Sequence, residues 1–219
     1  MPAALLSVRT NNPEGEPLMT SRSRYMAVLA ALLAAAHLAF AADRPDALVK
    51  TTTEEVLSVI KKTKDRTALR RIAEQKVLPY FNFTEMTRQA VGRPWRQATP
   101  EQRQKLEDNF RTLLVNTYTS ALTRTVAADK TVEVRPLQAG PNDKEVTVRT
   151  SIKGGGAQPM EIDYRMENTP QGWKVFDVIV ENVSLVTTYR GSFGEEVQRA
   201  GIDGLIKSLE DKNRTLAQG

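Results

Sequence analysis

Polar and apolar side chains alternate along residues 160–166. Single charged residues separate the apolar ones, which is the period of two expected for a strand with one apolar and one solvated face. Residues 168–172 contain Asn, Thr, Pro and Gly and predict a turn, and residues 173–180 predict a second strand. The pattern therefore predicts a β-hairpin with one apolar face.

Further periodic segments extend this hairpin into a larger fold. Two more strands are predicted at residues 132–137 and 145–152, and short turns make all four strands antiparallel neighbours. Spacings of three and four residues predict helices before and after the strands. The predicted helices are 45–62, 66–77, a short one ending at Val91, 100–124, 185–190, 193–200 and 204–212. Thr99 and Gln102 fit a capping box at the start of the helix 100–124. This order favours an α+β fold, with about four antiparallel strands and helices packed over one face.

The fourth predicted strand could turn either of two apolar sets toward the helices. The two sets are Phe176, Val178 and Val180 on one face, and Trp173, Val175 and Ile179 on the other. We favour the face of Phe176, because Asp177 interrupts the alternative face. Ser184 follows this strand and is a predicted N-cap for the next helix.

The first part of the chain is typical of a secretory signal peptide. Two arginines precede a mostly apolar stretch at residues 25–40, and small residues lead to a predicted cleavage site after Ala41. The stretch is shorter than the about 20 residues that a membrane anchor needs. We therefore expect translation to start at Met19, residues 1–41 to be an extension plus signal peptide, and residues 42–219 to form one exported domain.

The composition excludes several kinds of reaction centre. The chain has no cysteine, and its single histidine, His37, lies within the predicted signal peptide. The exported domain would therefore lack a cysteine nucleophile, a Ser-His-Asp triad and zinc sites with Cys or His ligands. Export without cysteines suggests a bacterial periplasm and a fold stabilised by its core. No cofactor or metal site is expected.

An apolar sheet face beside an apolar helix suggests a concave binding site without reactive groups. Three functions remain open from the residues: a carrier of apolar ligands, a periplasmic adaptor without cargo, and an enzyme. The enzyme would use Tyr164 as an oxyanion donor and Asp163 or Asp177 as base. Strand alternation places Asp163 opposite Tyr164, on the wet face, which argues against that pair. The net charge of +5 gives mild basicity, and we expect no nucleic-acid partner.

Seven motifs in this order resemble the MlaC family, also called toluene-tolerance auxiliary proteins. The resemblance extends from about Ala47 to Asn213. Its motifs include Val77–Phe83, Trp95–Gln102, Phe110–Arg111, Asp163–Arg165, Gly172–Val178, Val183–Val186 and Gly201–Ile206.

This resemblance implies a fold similar to nuclear-transport-factor-like domains, with a lipid cavity between sheet and helices. It implies a monomeric periplasmic carrier, not an enzyme, whose cargo is phospholipid. The carrier would shuttle lipid between an outer-membrane lipoprotein complex and an inner-membrane ABC transporter with an MCE-domain subunit, and so maintain outer-membrane lipid asymmetry.

We expect the lipid tails to contact apolar faces of the long helix, the sheet and the helix after it. The candidate residues are Leu113, Leu114, Thr117, Tyr118, Leu122, Val146, Val148, Ile162, Tyr164, Met166, Val178, Tyr189 and Phe193.

Overall fold

A computed structural model describes most of the predicted exported domain. The described residues are 44–63, 65–125, 130–137, 140, 142–154, 156 and 158–218, with side chains for all except 66 and 119–125. The predicted initiator, signal peptide and cleavage site lie outside the described residues.

The described chain contains five helices, numbered α1 to α5. They are α1 (Pro45–Lys62), α2 (Arg66–Ile72), α3 (Phe83–Val91), α4 (Pro100–Thr125) and α5 (Leu185–Gln218). A π-helical turn at Ala73–Val77 and a 3-10 turn at Leu78–Tyr80 connect α2 to α3, and a second 3-10 turn, Arg93–Arg96, precedes α4.

Local capping explains where the central helices begin. Thr99 and Gln102 form the predicted capping box: the Gln102 backbone N–H donates to Thr99 Oγ1 at 3.2 Å, and the Thr99 N–H donates to Gln102 Oε1 at 3.0 Å. Asn82 caps α3 by accepting a hydrogen bond from the Glu85 N–H at 3.0 Å. These contacts satisfy backbone groups that a helix end leaves without partners.

Five antiparallel strands form one sheet, in which each strand pairs with the next one along the chain. The strands are β1 (Thr131–Val134), β2 (Glu145–Lys153), β3 (Met160–Thr169), β4 (Gly172–Val180) and β5 (Val183–Ser184). The predicted α+β class and antiparallel order are confirmed, but the expected four strands are five. The two-residue β5 is too short to show a period-two pattern.

The register places the predicted apolar residues of the sheet on one face. Val148 and Val178 lie opposite Tyr164 on its two sides, and Val146 lies opposite Met166. Residues directly opposite each other in an antiparallel pair project from the same face. We call this the apolar face; it also carries Ile162, Val180, Val134 and Val132.

A β-bulge breaks the alternation of β4. Arg165 pairs with Asp177, whereas the next residue, Met166, pairs with Val175, so Phe176 has no partner of its own. Val175 and Val178 therefore both lie on the apolar face, although they are three residues apart. The expected sets, which assumed strict alternation, were wrong in separating Val175 from Val178.

The buried side chains form two clusters. The helical core joins α3, α4 and α5 to the sheet through Phe176, and the sheet core contains Val49 of α1 with Val148, Met166 and Val175. Val175 and Phe176 of β4 enter different clusters because successive side chains of a strand point to opposite faces.

The C-terminal helix differs from the sequence prediction. Three helices were expected after Ser184, but α5 continues without a break through residues 190–193. Its one non-helical residue is Gly201, with φ 73° and ψ −174°. Glycine tolerates this positive φ, which allows α5 to change direction there.

Candidate functional site

Part of the apolar face remains accessible within the fold. Ile162, Tyr164 and Val178 are half-buried, and they lie beside each other on β3 and β4. Val146 is half-buried at the neighbouring position of β2. A row of apolar side chains that folding does not fully cover can contact a ligand.

Two predicted contact residues on the same apolar face are fully buried. Val148 and Met166 have no accessible surface and pack against Val49 of α1 and Val175 of β4. In this structure they belong to the sheet core, and their role as lipid contacts stays a prediction.

The helical candidates divide in the same way. Leu113, Leu114 and Phe193 are buried in the helical core, whereas Tyr118 and Tyr189 are half-buried and pack against it. Thr117 is half-buried on α4, beside Tyr118. Leu122 lies one turn further along α4, and its side chain is outside those described.

Aromatic packing fixes the position of Tyr189 on α5. The Phe110 ring packs edge to face against the rings of Tyr189 and Phe193. The distances between ring centroids are 5.0 Å to Tyr189 and 5.2 Å to Phe193. Such edge-to-face pairs add to the stability gained from burial. The Tyr189 ring is therefore held by the core while its side chain keeps some accessible surface.

The site tyrosines are weak acids in this environment. Burial raises the pKa of Tyr164 to about 12. Burial is the main reason why the pKa of Tyr118 is raised to about 12, and the charge and hydrogen bonding of Tyr189 act in the same direction. Burial also raises the pKa of Tyr189, against the opposing effect of Tyr118 and Thr117. All three hydroxyls are neutral hydrogen-bond donors at pH 7.

Phe81, which was absent from the predicted site, contacts both cores. It packs against the helical core and the sheet core, and it forms an isolated parallel bridge with Val175. The next residue, Asn82, donates its N–H to the Val175 carbonyl at 2.8 Å. Phe81 belongs to the Val77–Phe83 motif, which was the one sequence signal that pointed to it.

A cleft at α5 brings together three of the predicted residues. Its volume is about 370 Å³, and Leu113, Tyr189 and Phe193 form its apolar part together with Leu205 and Leu209. Its remaining lining residues are Ser192, Glu195, Glu196, Arg199, Ser208 and Lys212. The size falls at the lower end of small-molecule pockets, and the charged rim would suit a polar group.

The groups proposed for catalysis have other roles. Asp163 lies opposite Arg149 and Ile179 in the register, away from the face of Tyr164, and its carboxylate is 3.9 Å from Arg149 Nε. Asp177 is buried, and its carboxylate accepts hydrogen bonds from Ser184 and Val186. Neither carboxylate is placed to act as a base for a substrate held by Tyr164.

In the part of the chain that the structure describes, no helix is both long enough and apolar enough to cross a membrane.

Comparison with known proteins agrees with this architecture. The chain is 28% identical to the toluene tolerance protein ttg2D of Pseudomonas putida over 193 residues, 84% of this chain and 86% of that protein. It is 25% identical to the intermembrane phospholipid transport system binding protein MlaC of Haemophilus influenzae over 180 residues, 78% of this chain and 83% of that protein.

A solved structure has the same fold. The phospholipid-binding protein of Ralstonia solanacearum, solved in complex with a phospholipid, superposes with a TM-score of 0.71 at 36% sequence identity. The match covers 78% of this chain and 98% of that protein. The family model described as MlaC protein matches residues 50–211. The chain belongs to the MlaC family.

Proposed function

We propose that the protein is a periplasmic phospholipid carrier whose cargo tails lie against the apolar face. The observation that carries this proposal is the accessible row of Ile162, Tyr164 and Val178. A relative of the same fold, at 36% identity, was solved with a phospholipid bound, which supports a lipid as the occupant.

The energetics of acyl chains explain why a carrier is needed. Exposing a methylene to water costs about 0.8 kcal/mol, so two tails of about 15 methylenes would cost roughly 24 kcal/mol. A free lipid therefore rarely leaves a bilayer. A protein that covers the tails makes transfer between two membranes nearly balanced, because bilayer and carrier both shelter the hydrocarbon.

The carrier would exchange lipid between an inner-membrane ABC transporter with an MCE-domain subunit and an outer-membrane lipoprotein complex. The name of the Haemophilus influenzae relative, an intermembrane phospholipid transport system binding protein, supports such a route. The signal peptide within residues 1–41 would direct export. Since the sequence has no Walker loop, direction would come from the partners or from lipid supply.

Lipid extraction tests this proposal directly. Protein purified from the periplasm is extracted with organic solvent, and the extract is analysed by mass spectrometry. We expect about one phospholipid per protein molecule. A folded protein that yields no lipid, and takes up none from vesicles, would instead be an adaptor.

A transfer assay tests the shuttle. Vesicles carrying labelled phospholipid are mixed with acceptor vesicles, and the protein is added at a small molar ratio to lipid. Transfer that rises linearly with protein concentration supports a diffusing carrier. Photo-crosslinking in intact cells, followed by identification of the products, tests the two membrane complexes as partners.

A further inference from the structure

The Tyr164 side chain projects from the middle of the apolar face. Val148 lies beside it on β2 and Val178 beside it on β4. The nearest hydroxyl in the register is that of Thr150, which donates to the Ile162 carbonyl at 2.7 Å and is thus engaged. The phenol is therefore a polar group among apolar neighbours.

The Tyr164 side chain is half-buried on this face. Burial raises the pKa of its hydroxyl to about 12. Among the described residues we find no acceptor for this hydroxyl. Tyrosine hydroxyls in such surroundings normally have a hydrogen-bond partner.

No charged residue of β2, β3 or β4 shares the apolar face with Tyr164. The charged residues of β3 alternate with the apolar ones, so Asp163 and Arg165 project from the opposite face. A phosphate beside Tyr164 would meet no cation of these strands and would lose its hydration. A neutral acceptor fits better, and in a diacyl lipid the neutral acceptors next to the tails are the ester carbonyl oxygens.

We propose that the Tyr164 hydroxyl donates a hydrogen bond to an acyl ester carbonyl of the bound lipid, so that the protein prefers ester-linked to ether-linked phospholipid. This inference rests on the proposed function. Tyr164 would fix the depth of the lipid, because the ester lies at the boundary between headgroup and tails.

The test compares two lipids with the same headgroup and tail length, one with ester links and one with ether links. Delipidated protein competes for both in mixed vesicles, and the bound fraction is measured by mass spectrometry. One neutral hydrogen bond corresponds to a preference of about 2- to 10-fold for the ester lipid. Tyr164→Phe should abolish the preference, because binding of the ester lipid falls to the level of the ether lipid.

A matched control and a second measurement complete the test. Tyr80→Phe removes a hydroxyl from an exposed tyrosine beside Lys174 and should keep the ester preference. With carbonyl-labelled lipid, the infrared ester band should lie at lower frequency in the wild type than in Tyr164→Phe. Equal binding of both lipids by the wild type, or an unchanged ester band, overturns the role of Tyr164. Binding of neither lipid overturns the carrier function itself.

Discussion

The buried carboxylate of Asp177 accepts a hydrogen bond from Ser184 Oγ at 2.7 Å. Its other oxygen, Oδ1, accepts from the Val186 N–H at 3.2 Å. Arg165 Nη1 lies 4.0 Å from Oδ2, the oxygen that Ser184 contacts. One side chain of β4 thus holds the first turn of α5 against the sheet. The same carboxylate satisfies the Val186 N–H, which the start of a helix would otherwise leave without a partner.

Asp177→Ala should destabilise the protein by about 2–4 kcal/mol, because it leaves the Val186 N–H and Arg165 without their buried acceptor. Urea denaturation followed by circular dichroism measures the change. Asp163→Ala is the matched control: its partially exposed carboxylate lies 3.9 Å from Arg149, and its loss should change stability by less than about 1 kcal/mol. Similar losses in both variants would contradict this role of Asp177.

Gly204 and Gly194 should respond in opposite directions to alanine, although both are helical residues of α5. A Cβ on Gly204 would lie 2.2 Å from the Ala200 Cβ, whereas a Cβ on Gly194 meets nothing within 4 Å. We expect Gly204→Ala to lower stability by about 1–3 kcal/mol through this clash.

Gly194→Ala should raise stability by about 0.5–1 kcal/mol, since alanine favours the helix. Thermal unfolding measures both variants. A stabilised Gly204→Ala would show that the turn at Gly201 yields easily to the added methyl.

Ile162→Trp should block lipid loading in a folded protein. Ile162 is half-buried on the accessible row, so an indole there would occupy the space of a tail. Val148 is a poorer position for this test, because it has no accessible surface and a larger side chain would overpack the sheet core.

Val183→Trp on β5 is the control, since Val183 is 58% exposed. Lipid content after extraction, with circular dichroism as the check on folding, measures the effect. Full lipid occupancy in folded Ile162→Trp would place the cargo elsewhere.

Asp46 should make stability depend on acidic pH. The Arg44 guanidinium, 2.8 Å away, lowers the pKa of this carboxyl, and hydrogen bonds from the backbone of Leu137 and Ala47 act in the same direction. Because the folded pKa is below the unfolded one, the stabilisation is present above about pH 4 and is lost as pH falls through the folded pKa.

Asp46→Asn should therefore be less stable than the wild type at pH 7, by about 0.5–1 kcal/mol, and the two should converge in acid. Urea denaturation at a series of pH values measures this difference. A difference that stays constant from neutral to acidic pH would exclude the ionised carboxylate as its source.

Local patterns of residue types gave the reliable predictions. The capping box at Thr99 and the strands β1 to β4 follow from local spacing, and the structure confirms them. The bulge at Phe176 could not be foreseen, because strict alternation and a one-residue shift both fit the same short run of apolar residues.

The candidate site was predictable to a similar extent. The register confirms that Val148, Tyr164 and Val178 share a face, because side-chain direction in a strand follows from alternation. Phe81 was not foreseen as a contact of both cores, since its role depends on a bridge to Val175, far along the chain.

The sequence by itself determined the α+β class, the order of elements, the family and the absence of cysteine chemistry. These depend on residue types and on periods of two or about 3.6, which are local properties of the chain. Only the tertiary structure decided which apolar residues are buried and which remain accessible. Accessibility depends on what packs across each side chain. Tyr164 and Val148 are neighbours on one face, yet Tyr164 is half-buried and Val148 is fully buried.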